Sequence, residues 1–236
     1  AMPSLTTFKQ LGLASSASYA LARLTAHVRG AEWHRAHVVA IPRSGMPPMP
    51  RRFTVRRVTL ADLAAQPIDI SPEQQAARLA QGIECLAAFN ADGALTGVVW
   101  LCAHGCSEGD IALHTTPPPG AAWDTGMWIH PDHRMGRTFQ ALWAAVGEWL
   151  AARGLAWSIS AIADYNVASM GAHRRMGLIV IGQMGGLRLG PWQYVWVRGG
   201  PRGWVRAPRR LRWRVPAMAA LTAPAPSHCQ DASIAA

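Results

Sequence analysis

The stretch IHPDHRMGRTFQALW, residues 129–143, carries the strongest indication of the fold. It starts at the end of an apolar run, WDTGMWIHP (123–131), which has the composition of a β-strand stopped by proline. A basic turn with one glycine follows. The next segment, FQALWAAVGEWLAARG (139–154), has the apolar spacing of an amphipathic helix. These residues therefore predict a strand, a basic turn and a helix in direct succession.

The turn between this strand and this helix has the chemistry of an anion site. The first N–H groups of a helix have no partner within the helix, and that end carries a partial positive charge that suits phosphate. His133, Arg134 and Arg137 add cationic donors around it. The same residues also fit a strand, a solvated basic turn and a helix with no ligand.

A second informative segment, NVASMGAHRRMGL (166–178), has Asn at a helix start and glycine at the helix end. It follows the predicted strand LAWSISAI (155–162). Since strand–helix–strand connections are right-handed and make their strands parallel, we expect strand 123–130 to run parallel to strand 155–162.

The rest of the chain is predicted from local patterns. The expected elements are a helix near 15–29, strands at 34–43 and 53–58, helices at 59–65 and 71–82, and hairpins over 84–105 and 178–198. The expected divisions are an N-terminal extension (1–52) with one helix and one strand, a domain (53–198), and a flexible Arg/Trp/Pro-rich tail (199–236) with little packed structure. Prolines predict breaks at 44–52 and 115–122.

The composition excludes several classes of protein. Half of the 236 residues are apolar, which a wholly disordered chain does not show. No apolar run reaches the roughly 18 residues of a spanning helix. Four scattered cysteines are too few for a disulfide scaffold and favour a cytoplasmic setting. The alternative is a signal peptide after Lys9, although serines interrupt its apolar run.

The two segments 129–143 and 166–178 together resemble the GNAT (Gcn5-related N-acetyltransferase) superfamily, with the resemblance covering roughly 53–198. The first resembles the family's strand–loop–helix acyl-CoA motif, although this loop has only Gly136 where relatives usually have two or more glycines. The positions that match the second signature are Asn166, Ser169, His173, Gly177 and Leu178.

The resemblance implies an α/β fold with a mixed, mostly antiparallel central sheet and helices on both faces. Strands 123–130 and 155–162 would splay apart, and the pantetheine arm of acyl-CoA would lie between them. The positions implied for the arm and the oxyanion are Met127, Trp128 and Ile129. Those implied for the pyrophosphate are His133, Arg134, Met135, Gly136, Arg137, Thr138 and Phe139, and those for the pantetheine amides are Asn166 and Ser169.

Two residues are candidates for proton transfer. His173 stands where many relatives have a tyrosine that protonates the departing thiolate, and an imidazole has a suitable pKa for that step. The alternative is a surface histidine beside Arg174 and Arg175. Asp124 is a candidate general base acting through water, or else an ordinary loop carboxylate.

The predicted function is acyl transfer, with acetyl as the expected group, from acetyl-CoA or another acyl-CoA to a primary amine by direct attack. The expected acceptor is a small-molecule or amino-acid amine. No metal is expected, because the Cys102–His104–Cys106 spacing lacks the second pair of a zinc site. One alternative is an enzyme similar to N-acyl amino acid synthases, which take long-chain acyl groups from acyl carrier protein.

A third interpretation is a non-catalytic polyanion-binding module of GNAT shape. The stretch 198–215 holds seven arginines beside Trp204 and Trp213, and no acid occurs between Asp164 and Asp231. Such a segment suits nucleic acid, anionic lipid or an acidic carrier protein. It fits equally a basic extension with no dedicated partner.

Overall fold

The computed structural model describes residues 5–218 apart from 65, 67, 108 and 135, with side chains from residue 13 onward. The predicted site residue Met135 and residues 219–236 of the predicted tail thus lie outside the described residues. The helices of the described part are α1 (Leu5–Thr25), α2 (Leu60–Leu63), α3 (Pro72–Ala80), α4 (Thr138–Ala151) and α5 (Val167–Arg174). Its strands are β1 (Ala31–Pro42), β2 (Thr54–Val58), β3 (Glu84–Phe89), β4 (Leu95–Cys102), β5 (Cys106–Ser107), β6 (Leu113–Thr116), β7 (Ala121–Ile129), β8 (Trp157–Ala163), β9 (Ile179–Leu189), β10 (Trp192–Val197), β11 (Arg202–Arg206) and β12 (Leu211–Arg214). None of the described helices is long and apolar enough to cross a membrane.

The described strands form one large sheet and one small one. The large sheet has nine strands in the order β11-β10-β9-β1-β8-β7-β4-β3-β2, and the small one has the order β12-β6-β5. Within the large sheet β7 and β8 pair in parallel and the other neighbours pair antiparallel. Leu79 of α3 packs on one face and Leu142 of α4 on the other. The predicted mixed, mostly antiparallel α/β sheet with helices on both faces is confirmed.

Helix α3, which contributes to the site below, begins where the sequence predicts it. The Ser71 hydroxyl accepts from the Gln74 N–H at 3.3 Å, and the Gln74 side chain accepts from the Ser71 N–H at 3.0 Å. This reciprocal pair satisfies two otherwise unpaired donors of the first turn, and Pro72 occupies the position where its missing N–H costs nothing.

The sequence analysis expected segment 1–52 to be an N-terminal extension, separate from the domain. The structure instead places part of it inside the large sheet. Strand β1 lies inside the large sheet, with Ala40 opposite Ile159 of β8 and Val39 opposite Val180 of β9. Its apolar run is fully buried, as expected for a strand covered on both faces. The first strand of the chain is therefore part of the central sheet.

The expectation of little packed structure after residue 198 is wrong for the part that is described. Strand β11 extends the large sheet beside β10, and β12 pairs in parallel with β6. Trp213 is buried and meets Trp123 edge to face, with ring centroids 6.2 Å apart. Strand β6 of the small sheet runs to Thr116 and so ends inside 115–122, where prolines predicted a break. Prolines exclude regular structure locally, but burial of an aromatic ring stabilises strands beside them.

Candidate functional site

Strands β7 and β8 pair at one end and separate at the other. Their pairing runs from Ala121 opposite Trp157 to Asp124 opposite Ser160. Beyond this point β7 stays with β4 and β8 stays with β1. The gap therefore opens after Asp124, and the predicted pair of parallel, splayed strands is confirmed.

The separation coincides with a bulge in β7. Trp100 of β4 lies opposite Gly126 and Leu101 lies opposite Asp124, so Thr125 is an extra residue without a partner on β4. Gly126 has φ 142°, a conformation that side chains disfavour. A bulge bends its strand and increases the local twist, which turns β7 away from β8. The sequence analysis missed this feature, although a glycine inside a predicted strand is the signal for it.

The backbone of β7 beyond the bulge presents polar groups to the gap. His130 donates its N–H to the Thr96 carbonyl of β4 at 2.9 Å. The backbone N–H and C=O groups of successive residues in a strand point to opposite edges. Those of Trp128 therefore also point to β4, whereas those of Met127 and Ile129 point into the gap. Two of the three positions predicted to hold the pantetheine arm thus have backbone groups directed into the gap between β7 and β8.

Two adjoining cavities fill the gap. One, of about 220 Å³, is lined by Asp124, Thr125, Gly126, Met127, Ser160, Ala161, Ile162, Ala163, Asn166, Ser169 and His173. The other, of about 650 Å³, is lined by Asp69, Met127, Trp128, Ile129, Arg134, Gly136, Phe139, Asn166, Ala168, Ser169, Ala172, His173 and Arg175. Because the lining of both includes Met127, Asn166 and His173, they form one continuous cleft from Asp124 to the turn before α4.

The start of α4 at the outer end of this cleft fits a phosphate group. Arg137 holds the N-cap position without a side-chain hydrogen bond to the helix. The first helix-internal bond at this end runs from the Ala141 N–H to the Arg137 carbonyl at 2.9 Å, so the three preceding N–H groups are available. Arg134 is exposed at the same mouth and donates to the Ile129 carbonyl at 3.4 Å.

Three of the predicted pyrophosphate residues do not line the cleft with their side chains. His133 lies against His130, with ring centroids 5.7 Å apart. The Arg137 side chain is exposed to solvent. The Thr138 side chain is fully buried, and its hydroxyl has no hydrogen-bond partner among the described residues. Of the polar groups of Thr138, the backbone N–H is thus the one left to face an anion at this helix start.

Asn166 and Ser169 lie together at the start of α5, where both line the cleft. The Asn166 side-chain oxygen accepts from the Ser169 N–H at 3.1 Å. This is an N-cap, as expected for an Asn at a predicted helix start. The side-chain amide nitrogen of Asn166 is not used by the cap.

His173 is buried rather than on the surface. Its Nδ1 lies 2.6 Å from the Ser169 carbonyl oxygen, and its ring meets Phe139 and Trp143 edge-on at 5.3 and 5.2 Å. Burial lowers the pKa of His173, and the bond to the Ser169 carbonyl opposes that shift in part. A carbonyl only accepts, so Nδ1 carries the proton and Nε2 of the neutral ring is an acceptor.

Asp124 stands at the inner end of the cleft, where the strands part. Its carboxylate accepts from the Gly126 N–H at 2.9 Å. Burial raises the pKa of Asp124 to about 6, against the lowering effects of that hydrogen bond and of the Arg78 charge. The carboxyl therefore changes its charge close to neutral pH, which suits a general base.

Arg78 of α3 is a residue near the site that the sequence analysis did not single out. Its guanidinium lies over the Trp100 ring, 5.4 Å from the centroid, and 3.8 Å from the position of a side chain built on Gly126. No carboxylate of a described residue lies within 4.0 Å of it. An arginine on an amphipathic helix gives no signal in the sequence, because only the packing of α3 against the sheet brings it beside β7.

The chain can also be compared with known protein families and structures. Residues 52–179, more than half of the chain, match the family described as the acetyltransferase (GNAT) domain. The chain belongs to the GNAT acetyltransferases. Transfer of an acyl group from acyl-CoA to an amine is the general GNAT reaction. No curated protein sequence matches the chain.

Among the described residues, no three His, Cys, Asp or Glu side chains are grouped to hold a metal ion.

Several solved structures are similar in fold to this GNAT protein. A Drosophila protein is 16% identical with a TM-score of 0.47, covering 71% of this chain and 55% of its own. A GCN5-related N-acetyltransferase from Sphaerobacter thermophilus is 17% identical with a TM-score of 0.44, covering 80% and 57%. The protein yncA from Salmonella typhimurium, solved with acetyl-CoA, is 18% identical with a TM-score of 0.40, covering 54% and 79%. The chain thus spans little more than half the length of the first two proteins.

Proposed function

We propose that this GNAT protein transfers an acyl group, acetyl in the first instance, from a CoA thioester to a primary amine by direct attack. The observation that carries the proposal is the continuous cleft between β7 and β8, with an acidic side chain at its inner end and a helix N-terminus at its outer end. The inner end suits an amine and the outer end suits a pyrophosphate. Between the two ends the cleft is lined by backbone of β7 that does not pair with β8.

On this proposal the donor lies along β7. The N–H groups at the start of α4 and the Arg134 guanidinium hold the pyrophosphate. The backbone groups of Met127 and Ile129 hold the pantetheine arm as an added strand would. One of their N–H groups also stabilises the oxyanion, because it is fixed in place before the charge develops.

The chemical step then needs only proton movements from the chain. The amine nitrogen attacks the thioester carbonyl carbon, the carbon–sulfur bond breaks, and the amide and a thiolate form. The nitrogen of the neutral amine becomes positively charged as the carbon–nitrogen bond forms, and Asp124 then takes its proton through water. Holding the two reactants together supplies a large part of the rate.

The role proposed for His173 differs from proton donation by a neutral imidazole. Its Nδ1–H is committed to the Ser169 carbonyl, so neutral His173 offers a lone pair at Nε2 and no proton there. We therefore assign the return of the proton to a water molecule, with Nε2 as the acceptor that orients it.

The acceptor side favours an amine that also bears a carboxylate, such as an amino acid. Arg78 presents a guanidinium beside Gly126, which follows the proposed base Asp124 by two residues. A carboxylate pairing with Arg78 would leave the amine of the same molecule on the side of Asp124. The charge of Arg78 lowers the pKa of Asp124, as expected for a cation in the neighbourhood of a carboxylate.

A second donor class, acyl carrier protein, is favoured by one observation. The turn before α4 has two exposed arginines, Arg134 at the mouth of the cleft and Arg137 outside it, but a single glycine, Gly136. A carrier protein brings one phosphodiester and an acidic surface, which suits arginines more than a glycine-rich cradle. Turnover with acetyl-CoA and with a long-chain acyl carrier protein, compared at equal concentration, separates the two donors.

Calorimetry with acetyl-CoA tests the proposal directly. We expect binding that weakens by about tenfold or more in Gly136→Glu, since the new carboxylate repels phosphate. Amide formation from acetyl-CoA and a mixture of amines should accompany the binding. Undetectable binding of any acyl-CoA or acyl carrier protein at millimolar concentration would overturn the proposal.

A further inference from the structure

Strands β10 and β11 carry a row of aromatic and arginine side chains on one face, which we call the Trp–Arg ladder. Its cross-strand pairs are Trp192 with Arg206, Tyr194 with Trp204, and Trp196 with Arg202. The opposite face of the same two strands packs into the core through Val195, Val197 and Val205. Strict alternation therefore places all six ladder residues on the face away from that core.

The ladder is open to solvent. Trp192 is 48% exposed and Trp204 is 53% exposed, although large apolar rings are normally covered. Tyr194 and Trp204 contact each other with ring centroids 5.5 Å apart. Single exposed apolar residues need no explanation, but a contiguous aromatic row indicates a binding surface.

One end of the ladder is a hollow with an aromatic wall. The cavity measures about 680 Å³, and its lining includes Tyr194, Trp196, Arg198 and Arg202. A side chain on Gly185 would lie 2.8 Å from the Trp196 ring, so this glycine lets the indole lie directly on the sheet. The hollow thus offers flat aromatic surface beside two cationic side chains.

The chain segment that carries the ladder has basic side chains and no acidic ones. Residues 165–218 contain ten arginines and no acid. No described carboxylate lies within 4.0 Å of Arg198, Arg202 or Arg206. The surface is therefore complementary to a polyanion.

We propose that the Trp–Arg ladder binds single-stranded nucleic acid, with bases stacked on the aromatic rings and phosphates paired with the arginines. Aromatic platforms interleaved with cationic side chains are the general means of binding single strands. Successive rungs lie two residues apart, about 6.6 Å along a strand, whereas bases within a duplex are about 3.4 Å apart. Neighbouring rungs therefore fit bases that have been unstacked.

Two other occupants fit the surface less well. The surface of a lipid bilayer is too broad to fill the cavity beside Tyr194 and Trp196, whereas a single planar base fits into it. A second copy of the chain packed face to face would set Arg202 and Arg206 against their own counterparts with no acid between them. The charge pattern thus favours a polyanion that supplies both phosphates and rings.

The ladder is independent of the cleft. Strands β9 and β1 separate β10, the nearer strand of the ladder, from β8, so the two sites lie about 14 Å or more apart across the sheet. Substitutions in the ladder should leave acyl transfer unchanged, and failure of one proposal does not decide the other.

Fluorescence anisotropy of the full chain with a labelled oligothymidylate tests the inference. The double variant Arg202→Gln/Arg206→Gln should weaken binding by about tenfold or more and lower the slope of log K against log salt by about 1.4. The matched control, Arg212→Gln/Arg214→Gln, removes the same charge from exposed positions on β12 and should change affinity by less than about threefold.

Stacking is tested separately from charge. Trp204→Ala should weaken binding by about fivefold or more, and Trp204→Phe should retain most of the affinity, since any aromatic face stacks on a base. Equal losses in the two arginine double variants would overturn the inference. So would tighter binding to duplex DNA or to anionic phospholipid vesicles than to the oligothymidylate, or a shift to a dimer abolished by Trp204→Ala.

Discussion

The Nδ1 of His173 lies 2.6 Å from the backbone carbonyl oxygen of Ser169, one helical turn earlier. This contact decides the tautomer of the neutral ring and directs a lone pair, not a proton, from Nε2. Burial lowers the pKa of His173, and the contact with the Ser169 carbonyl opposes that shift only in part, so the neutral ring is favoured over the protonated one. The first prediction follows from this relationship.

We expect kcat/KM for an amine acceptor, corrected for acceptor ionisation, to rise with pH through about 6 as Asp124 ionises and then to stay level to about pH 8. If His173 had to donate a proton, activity would instead fall above its lowered pKa. A pH–rate profile distinguishes these outcomes. A falling limb at higher pH that disappears in His173→Phe would contradict the assignment.

His173→Phe should lower kcat by about 10- to 100-fold and change KM for acyl-CoA by less than about threefold. The phenyl ring keeps the edge-on packing against Phe139 and Trp143 but lacks Nε2. His27 is a matched control, because its Nδ1 also lies 2.6 Å from the carbonyl four residues earlier, but it is exposed. His27→Phe should retain full activity.

Asp124→Asn should lower kcat/KM by about 100-fold or more at pH 8, since the amide cannot take a proton. The amide oxygen can still accept from the Gly126 N–H, so the bulge should be preserved. Asp92→Asn, in an exposed hairpin turn, is the control and should have no effect. Full activity in Asp124→Asn would exclude this carboxylate as the base.

The same substitution should stabilise the fold. The folded pKa of Asp124 is raised from 3.8 to about 6, so its protonated form is favoured by folding and that stabilisation is lost as pH rises through about 6. At pH 7 Asp124→Asn should therefore raise the free energy of unfolding by about 2–3 kcal/mol. Urea unfolding should show the gain shrinking as pH falls towards 4. A loss of stability at pH 7 would contradict this account.

Arg134→Gln should raise KM for acetyl-CoA by about tenfold, because a charge-assisted hydrogen bond to phosphate is lost. The rate with acetyl-pantetheine, which lacks the pyrophosphate, should change by less than about twofold. Arg29→Gln removes the same charge from an exposed position and serves as the control. Equal losses with both donors would place Arg134 outside the phosphate end of the cleft.

Arg78→Gln should raise KM for an amino acid acceptor by about tenfold or more and leave KM for the corresponding amino acid amide within about threefold. The comparison isolates the carboxylate, since the two acceptors share the same amine. If both acceptors lose equally, Arg78 supports the local structure of α3 and Gly126 rather than the recognition of a carboxylate.

Local signals in the sequence were sufficient for the elements that their own residues stabilise. Ser71 and Pro72 place the start of α3, and the order of strand, turn and helix around 123–162 predicts two parallel strands. The GNAT resemblance of 129–143 and 166–178 predicted the cleft, and residues of both segments line its outer part.

Long-range pairing decided what local signals did not contain. The apolar run of β1 predicts a strand but not a place between β8 and β9, which depends on hydrogen bonds with residues about 120 to 150 positions away. The arginines after residue 198 predict positive charge in this segment. Whether a tryptophan there is buried, as Trp213 is, or exposed, as Trp204 is, depends on the strand that it belongs to.

The sequence by itself determined the fold class, the family and the turn before α4, since caps, alternation and turns are properties of neighbouring residues. Only the tertiary structure decided the direction of the His173 lone pair, the raised pKa of Asp124 and the approach of Arg78. Those three depend on burial and on contacts between distant elements, and burial exists only once the sheet and its helices have packed.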